Sequence, residues 1–237
     1  MRSNVRLLIA CLAGMAIVSL NAATQIEEQM AQHFGLARYV DPRFPVMAQE
    51  QGILAGLATM AISWDADGTP SDVVVLRAND PSFGEAARDA ALQWRKAPGA
   101  GAREVAVYEL KFTTFGVVIS RTNSVSARMA EQMAVDPQPL HVPSSTDLDA
   151  PLKAITQPMP AFPTAAKGRW DEGRVVVEFF VDENGRVRAP AVRESTAPEF
   201  TAEALNALQQ WQYETPRKNG QPAVMTERWA FQFRKST

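Results

Sequence analysis

The chain repeats itself, and the repeat limits the folds open to it more than any other feature does. Written against itself at an offset of 117, which sets Gly56 on Gly173, residues 56–94 fall on 173–211 without a gap. The coinciding pairs include Asp65 and Asp182, Gly68 and Gly185, Pro81 and Pro198, Phe83 and Phe200, Ala87 and Ala204, and Trp94 and Trp211. Upstream, Phe44-Pro45 matches Phe162-Pro163 after a one-residue slip. Downstream, Tyr108, Leu110 and Phe112 match Trp229, Phe231 and Phe233. Each copy takes about 75 residues, so the chain is a tandem of two small domains; a solenoid needs more copies at a shorter period.

Within the second copy, Val175, Val177, Phe179 and Val181 recur every second residue, the period of a strand with one face fully buried. In the first copy Ala58, Met60, Ile62 and Trp64 take the inward places, and Thr59, Ala61 and Ser63 the outward ones. Both strands run into Asp/Asn/Gly turns, at Asp65-Ala66-Asp67-Gly68 and Asp182-Glu183-Asn184-Gly185, which predicts a reversal into a second strand. Pro190 inside that second strand predicts a bulge or an edge. Next, Phe200, Ala204, Ala207, Leu208 and Trp211 form one stripe of a 3.6-residue period, reproduced by Phe83, Ala87, Ala90, Ala91 and Trp94. Thr201 and Gly84 are the expected helix caps. A closing strand with alternating aromatics completes each copy. The expected class is α+β: two domains, each a three-stranded antiparallel sheet with one packed helix in the order β-β-α-β.

The rest of the chain has a different texture. Arg2 and Arg6 precede an apolar run that closes on Asn21-Ala22-Ala23, so residues 1–23 read as a secretory signal peptide. The run is shorter than the ~20 residues of a membrane-spanning helix, and an uncleaved inner-membrane anchor is the alternative. Cys11 lies within it, but the apolar stretch before it is too short for a lipoprotein signal, and cleavage leaves no cysteine, which suits an oxidising compartment. Ile26, Met30 and Phe34 at four-residue spacing place a short helix within residues 24–41. The first domain is expected at 42–119 and the second at 158–237. Between them, residues 120–157 carry Pro137, Pro139 and Pro143 and read as a linker, with a short helix at 124–133 and the two copies hinged about it.

Composition narrows the chemistry. Hydrophobic residues at 46% and charged residues at 21% are those of a chain that folds in water. A net charge of −2 gives no basic field for nucleic acid. Two isolated histidines, His33 and His141, supply neither a metal set nor an acid–base pair. The Asp-x-Asp/Asn-Gly turns resemble the opening of a calcium loop, yet Leu76 and Arg193 stand where the bidentate glutamate belongs. Trp94 and Trp211 read as core anchors, Glu178 and Glu203 as surface charge, and Arg186, Arg188 and Arg193 as a solvated basic face. No catalytic residue, metal or cofactor is expected.

One ordered set of residues carries a resemblance. Phe162-Pro163, Glu172-Gly173-Arg174-Val175, Val181-Asp182-Glu183-Asn184-Gly185, Trp211-Gln212-Tyr213, Pro216, Asn219-Gly220-Gln221-Pro222 and Phe231-Gln232-Phe233 together resemble the carboxy-terminal domain of the TonB family. The first copy is a divergent relative that keeps Phe44-Pro45, Gly56, the turn and Trp94, but has Lys96 where the second has Tyr213. The resemblance implies protein binding without catalysis. Family members pair their closing strand with an extended segment of an outer-membrane transporter, which is strand addition at a sheet edge. Carried onto this chain, the partner-binding candidates are Gln157, Pro158, Val224, Thr226, Arg228, Ala230 and Gln232. It implies a periplasmic module with a protein partner in the cell envelope, membrane contact only through an uncleaved amino terminus, and edge pairing of a homodimer as a further association. The alternatives are an anchored TonB-type energy transducer, against which stand the short apolar run and the absent Pro-Lys/Pro-Glu spacer, and an enzyme with an unfamiliar site.

Overall fold

A computed structural model of the chain describes residues 34–97, 104–114, 116–121 and 142–235. The expected signal segment and the helix at 124–133 fall outside them, as does most of the amino-terminal helix. Of that helix, Leu36 belongs instead to strand β1 (Leu36–Arg38), where its side chain is buried in the first core. A short helix α1 (Val46–Glu50) leads into β2 (Ala55–Trp64), β3 (Pro70–Ala78), helix α2 (Pro81–Ala91), β4 (Arg95–Lys96) and β5 (Glu104–Thr113). Strand β6 (Gly116–Arg121) follows. The second unit holds β7 (Ala154–Thr156), β8 (Glu172–Val181), β9 (Val187–Ser195), helix α3 (Pro198–Leu208), the short β10 (Gln212–Tyr213), β11 (Arg217–Lys218) and β12 (Gln221–Pro222), and the closing β13 (Met225–Arg234).

The second sheet has the expected three antiparallel strands, in the order β13-β8-β9, while the first has a fourth, in the order β3-β2-β5-β6. Both helices start three residues before the expected caps, because Pro81 and Pro198 take the first turn, where a missing N–H costs nothing. Asp80 caps α2 by accepting from the Ser82 amide at 2.9 Å.

The duplicated residues are those with no room to vary. Gly56 and Gly173 lie under the Phe83 and Phe200 rings, so closely that an added Cβ would fall 2.4 and 2.6 Å from ring carbons. The same rings meet Phe44 and Phe162 edge-on at 5.3 and 5.4 Å, and Phe112 and Phe233 at 5.0 Å in both copies. Trp94 and Trp211 are buried, and their indole N–H groups donate to the Val40 and Pro158 carbonyls at 2.8 and 2.9 Å. At the turns, Gly68 and Gly185 adopt φ of 82° and 75°, and their carbonyls accept from Lys96 and Tyr213 just past each helix, both at 2.8 Å. Lys96 is buried with its ammonium over the Trp64 ring, 5.8 Å from the centroid.

The copies are docked rather than free to hinge. Val74, Ala189 and Val224 form a small core between them, joined by Leu76, Val105 and Phe180. Asp72 accepts from Arg188 Nε at 2.9 Å and from the Ala189 amide at 3.0 Å. Arg188 also reaches Asp182, so of the expected solvated basic face Arg186 and Arg193 stay exposed while pairing with Asp182 and Glu178, and Arg188 is instead drawn between Asp72 and Asp182. The bulge expected at Pro190 is present, opposite Phe179, and puts Ala189 at φ 47° in the interface. The outward face of β2 also departs from the expectation. Thr59 and Ala61 are fully buried, Ala61 beside Val74 and Thr59 between Arg77 and Glu109.

Candidate functional site

The closing strands β5 and β13 differ in what lies beside them. On the side of β5 away from β2 runs β6, in register from Tyr108↔Arg121 to Thr113↔Gly116. Strand β13 pairs with β8 along its whole length, from Met225↔Val181 to Arg234↔Glu172, and among the described residues no strand pairs with its other side.

Strand geometry decides which backbone groups are open. The Thr226 amide donates to the Pro143 carbonyl at 2.7 Å, away from β8. Because N–H directions alternate along a strand, the amides of Arg228, Ala230, Gln232 and Arg234 point the same way. The Arg228 amide is taken by the Glu227 carboxylate, Oε1 accepting at 2.9 Å. Those of Ala230, Gln232 and Arg234 have no partner among the described residues. Three outward donors with intervening carbonyls make a short template for another strand. Their side chains are exposed, while Phe231 and Phe233 are buried and Trp229 lies edge-on to Trp211 at 5.3 Å.

Residues 142–157, expected as linker, form a strap across the second unit. Ser144 and Asp147 make a reciprocal cap at the start. The Asp149 amide donates to the Arg217 carbonyl at 2.9 Å, and its carboxylate accepts from the Asn219 and Gly220 amides at 2.8 and 2.7 Å. Strand β7 then pairs with β10. Between strap and β13 lies a groove of about 620 Å³ whose lining includes Leu148, Asp149, Gln157, Tyr213, Glu227 and Trp229. Burial, and after it the Glu227 charge, raises the Tyr213 phenol above its ordinary range.

The candidates read from the sequence are distributed as follows. Ala230 and Gln232 carry open outward amides, Arg228 lies on the same edge with its amide held by Glu227, and Gln157 lines the groove. The Thr226 amide is occupied by Pro143, the Pro158 carbonyl by Trp211, and Val224 is buried between the copies. Glu227, Trp229 and Asp149 were not among the candidates. Glu227 and Trp229 alternate with residues that were, and their signal was the strand period itself; Asp149 reaches its partners across 70 and 71 residues and has no local signal. Glu178, read from the sequence as surface charge, accepts from Arg193 Nε at 2.6 Å.

The family profile described as Gram-negative bacterial TonB protein C-terminal matches residues 40–113 and 158–234. No curated protein matches the chain. Among solved structures, the solution NMR structure of the Pseudomonas aeruginosa TonB C-terminal domain is similar, at 30% identity over 38% of this chain and 91% of that one, with a TM-score of 0.33.

Proposed function

Since the chain belongs to the TonB C-terminal family and carries two copies of its domain, we propose that it is a periplasmic adaptor that takes an extended segment of an envelope protein as an added strand on β13. TonB C-terminal domains are protein-interaction modules that engage proteins such as outer-membrane transporters in envelope transport. The observation that carries the reading is the difference between the copies: β5 is flanked by β6, whereas Ala230, Gln232 and Arg234 of β13 keep outward amides. Main-chain hydrogen bonds then supply affinity, and neighbouring side chains supply preference. The first copy serves as a scaffold that holds β9 through Asp72.

The test uses the exported chain with a photo-crosslinking residue at Gln232, and at exposed Asn206 on α3 as control. Irradiation is expected to join position 232, but not 206, to an outer-membrane protein. Ala230→Pro is expected to abolish the adduct, because proline removes one outward donor and is tolerated on an edge strand. An adduct of twice the chain mass identifies self-pairing of the same edge. Equal labelling from both positions, or an adduct indifferent to Ala230→Pro, overturns the reading.

A further inference from the structure

The groove beside β13 has a chemistry of its own. Among the described residues its lining contains two carboxylates, Asp149 and Glu227, the aromatic side chains of Tyr213 and Trp229, and no lysine, arginine or histidine. Asp149 is spent on two backbone amides of the β11–β12 hairpin. Glu227 accepts only from the amide next to it and pairs with no cation among the described residues. The Trp229 indole N–H is buried without a hydrogen-bond partner there. Arg228 and Arg234 do not neutralise this side, since alternation sends their side chains to the opposite face of the sheet.

A strand added to β13 alternates in the same way. Every second side chain faces the side of Glu227 and Trp229, and those next to that pair lie at the mouth of the groove. Resting on the strand-addition reading above, we propose that the groove receives a lysine or arginine of the incoming segment, its aliphatic stem against Trp229 and its cation on the Glu227 carboxylate. A cation there meets one uncompensated charge and two ring systems, and its stem fills apolar space beside Leu148. An acidic side chain at the same position would meet Glu227 with like charge. An apolar one would leave that carboxylate covered and unpaired. The partner is therefore an extended envelope-protein segment with a basic residue at one position of one face.

Selection of displayed random decapeptides on the full chain tests this separately from the strand addition itself. Binders lost on Ala230→Pro report the edge. Among them, lysine or arginine is expected at one fixed position, and replacing it with norleucine is expected to weaken binding about three- to tenfold, the range of a partly exposed ion pair with a cation–π contact. Glu227→Gln is expected to remove the preference, and Glu227→Lys to turn it towards aspartate or glutamate. The second variant keeps the test decisive if the first folds poorly. Edge-dependent binders with no basic preference, or a preference that survives both Glu227 variants, overturn the groove proposal and leave strand addition standing. If no selected peptide depends on Ala230, both fall.

Discussion

Replacing Gly185 with alanine tests whether the turn at the end of β8 is held by contact or only by conformation. At φ 75° an alanine adopts a left-handed backbone that costs about 1–2 kcal/mol. Its Cβ would also fall 1.9 Å from the Tyr213 carbonyl oxygen, far inside van der Waals contact, and the atom it meets is main chain. The turn must then retreat from the helix exit by more than an ångström, stretching the hydrogen bond from the Tyr213 amide to the Gly185 carbonyl, worth a further ~1 kcal/mol. Together the loss is about 2–3 kcal/mol. Gly168 supplies the internal standard, for its φ is 80° and nothing lies within 4 Å of an added Cβ. Gly168→Ala should cost only the conformational part, about 1–2 kcal/mol. In urea, with a slope of about 1–2 kcal/mol per molar for a small unit, Gly185→Ala should lower the midpoint by about 0.5–1 M more than Gly168→Ala does, at an unchanged slope. Tryptophan fluorescence of the full chain reads the transition. Equal midpoints for the two variants would refute the packing argument.

Asp72→Ala removes the acceptor for Arg188 and Ala189 and should weaken docking of the copies by about 2 kcal/mol; the expected sign is separate unfolding of the two units, and a cycle with Arg188→Ala should show strong coupling between the sites. Trp211→Phe leaves the Pro158 carbonyl without its donor and vacates core volume, so about 2–3 kcal/mol should be lost in denaturant unfolding, with Trp94→Phe behaving alike through Val40. Burial alone would raise the Asp182 carboxyl, but hydrogen bonds from the Arg186 and Asn184 amides and from Arg188 outweigh it and hold the group below its ordinary range. Its stabilisation is therefore complete above the unfolded value of about 4 and is lost as pH falls through the lower folded value. Asp182→Asn should flatten the acid limb of a stability–pH curve without erasing it, because Asp67 and Asp80 shift in the same direction.

The β-β-α-β plan was legible because duplication marked the positions where packing admits no alternative. Gly56 and Gly173 under their phenylalanines, and the tryptophans that hold an incoming carbonyl, are local necessities that leave residue-type signatures. What stayed hidden is non-local. Arg188 looked solvated because its acceptor, Asp72, lies 116 residues away. The strap read as linker because its proline and polar composition fits either fate, and its anchors are the backbone amides of a distant hairpin. Among the described residues β6 has no counterpart in the second copy, so the repeat gave no warning of it, although Val117 and Ile119 pack on the first core.

That extra strand bears on how many segments the proposed strand addition would take up. A protein built from two family domains invites an expectation of bivalency, in which tethered sites multiply each other's affinity. If segments add only at β13, a titration should saturate at one segment per molecule, and joining two such segments through a flexible spacer should bring no avidity; a second equivalent would place the other segment on the outer side of β6, the end strand of the first sheet.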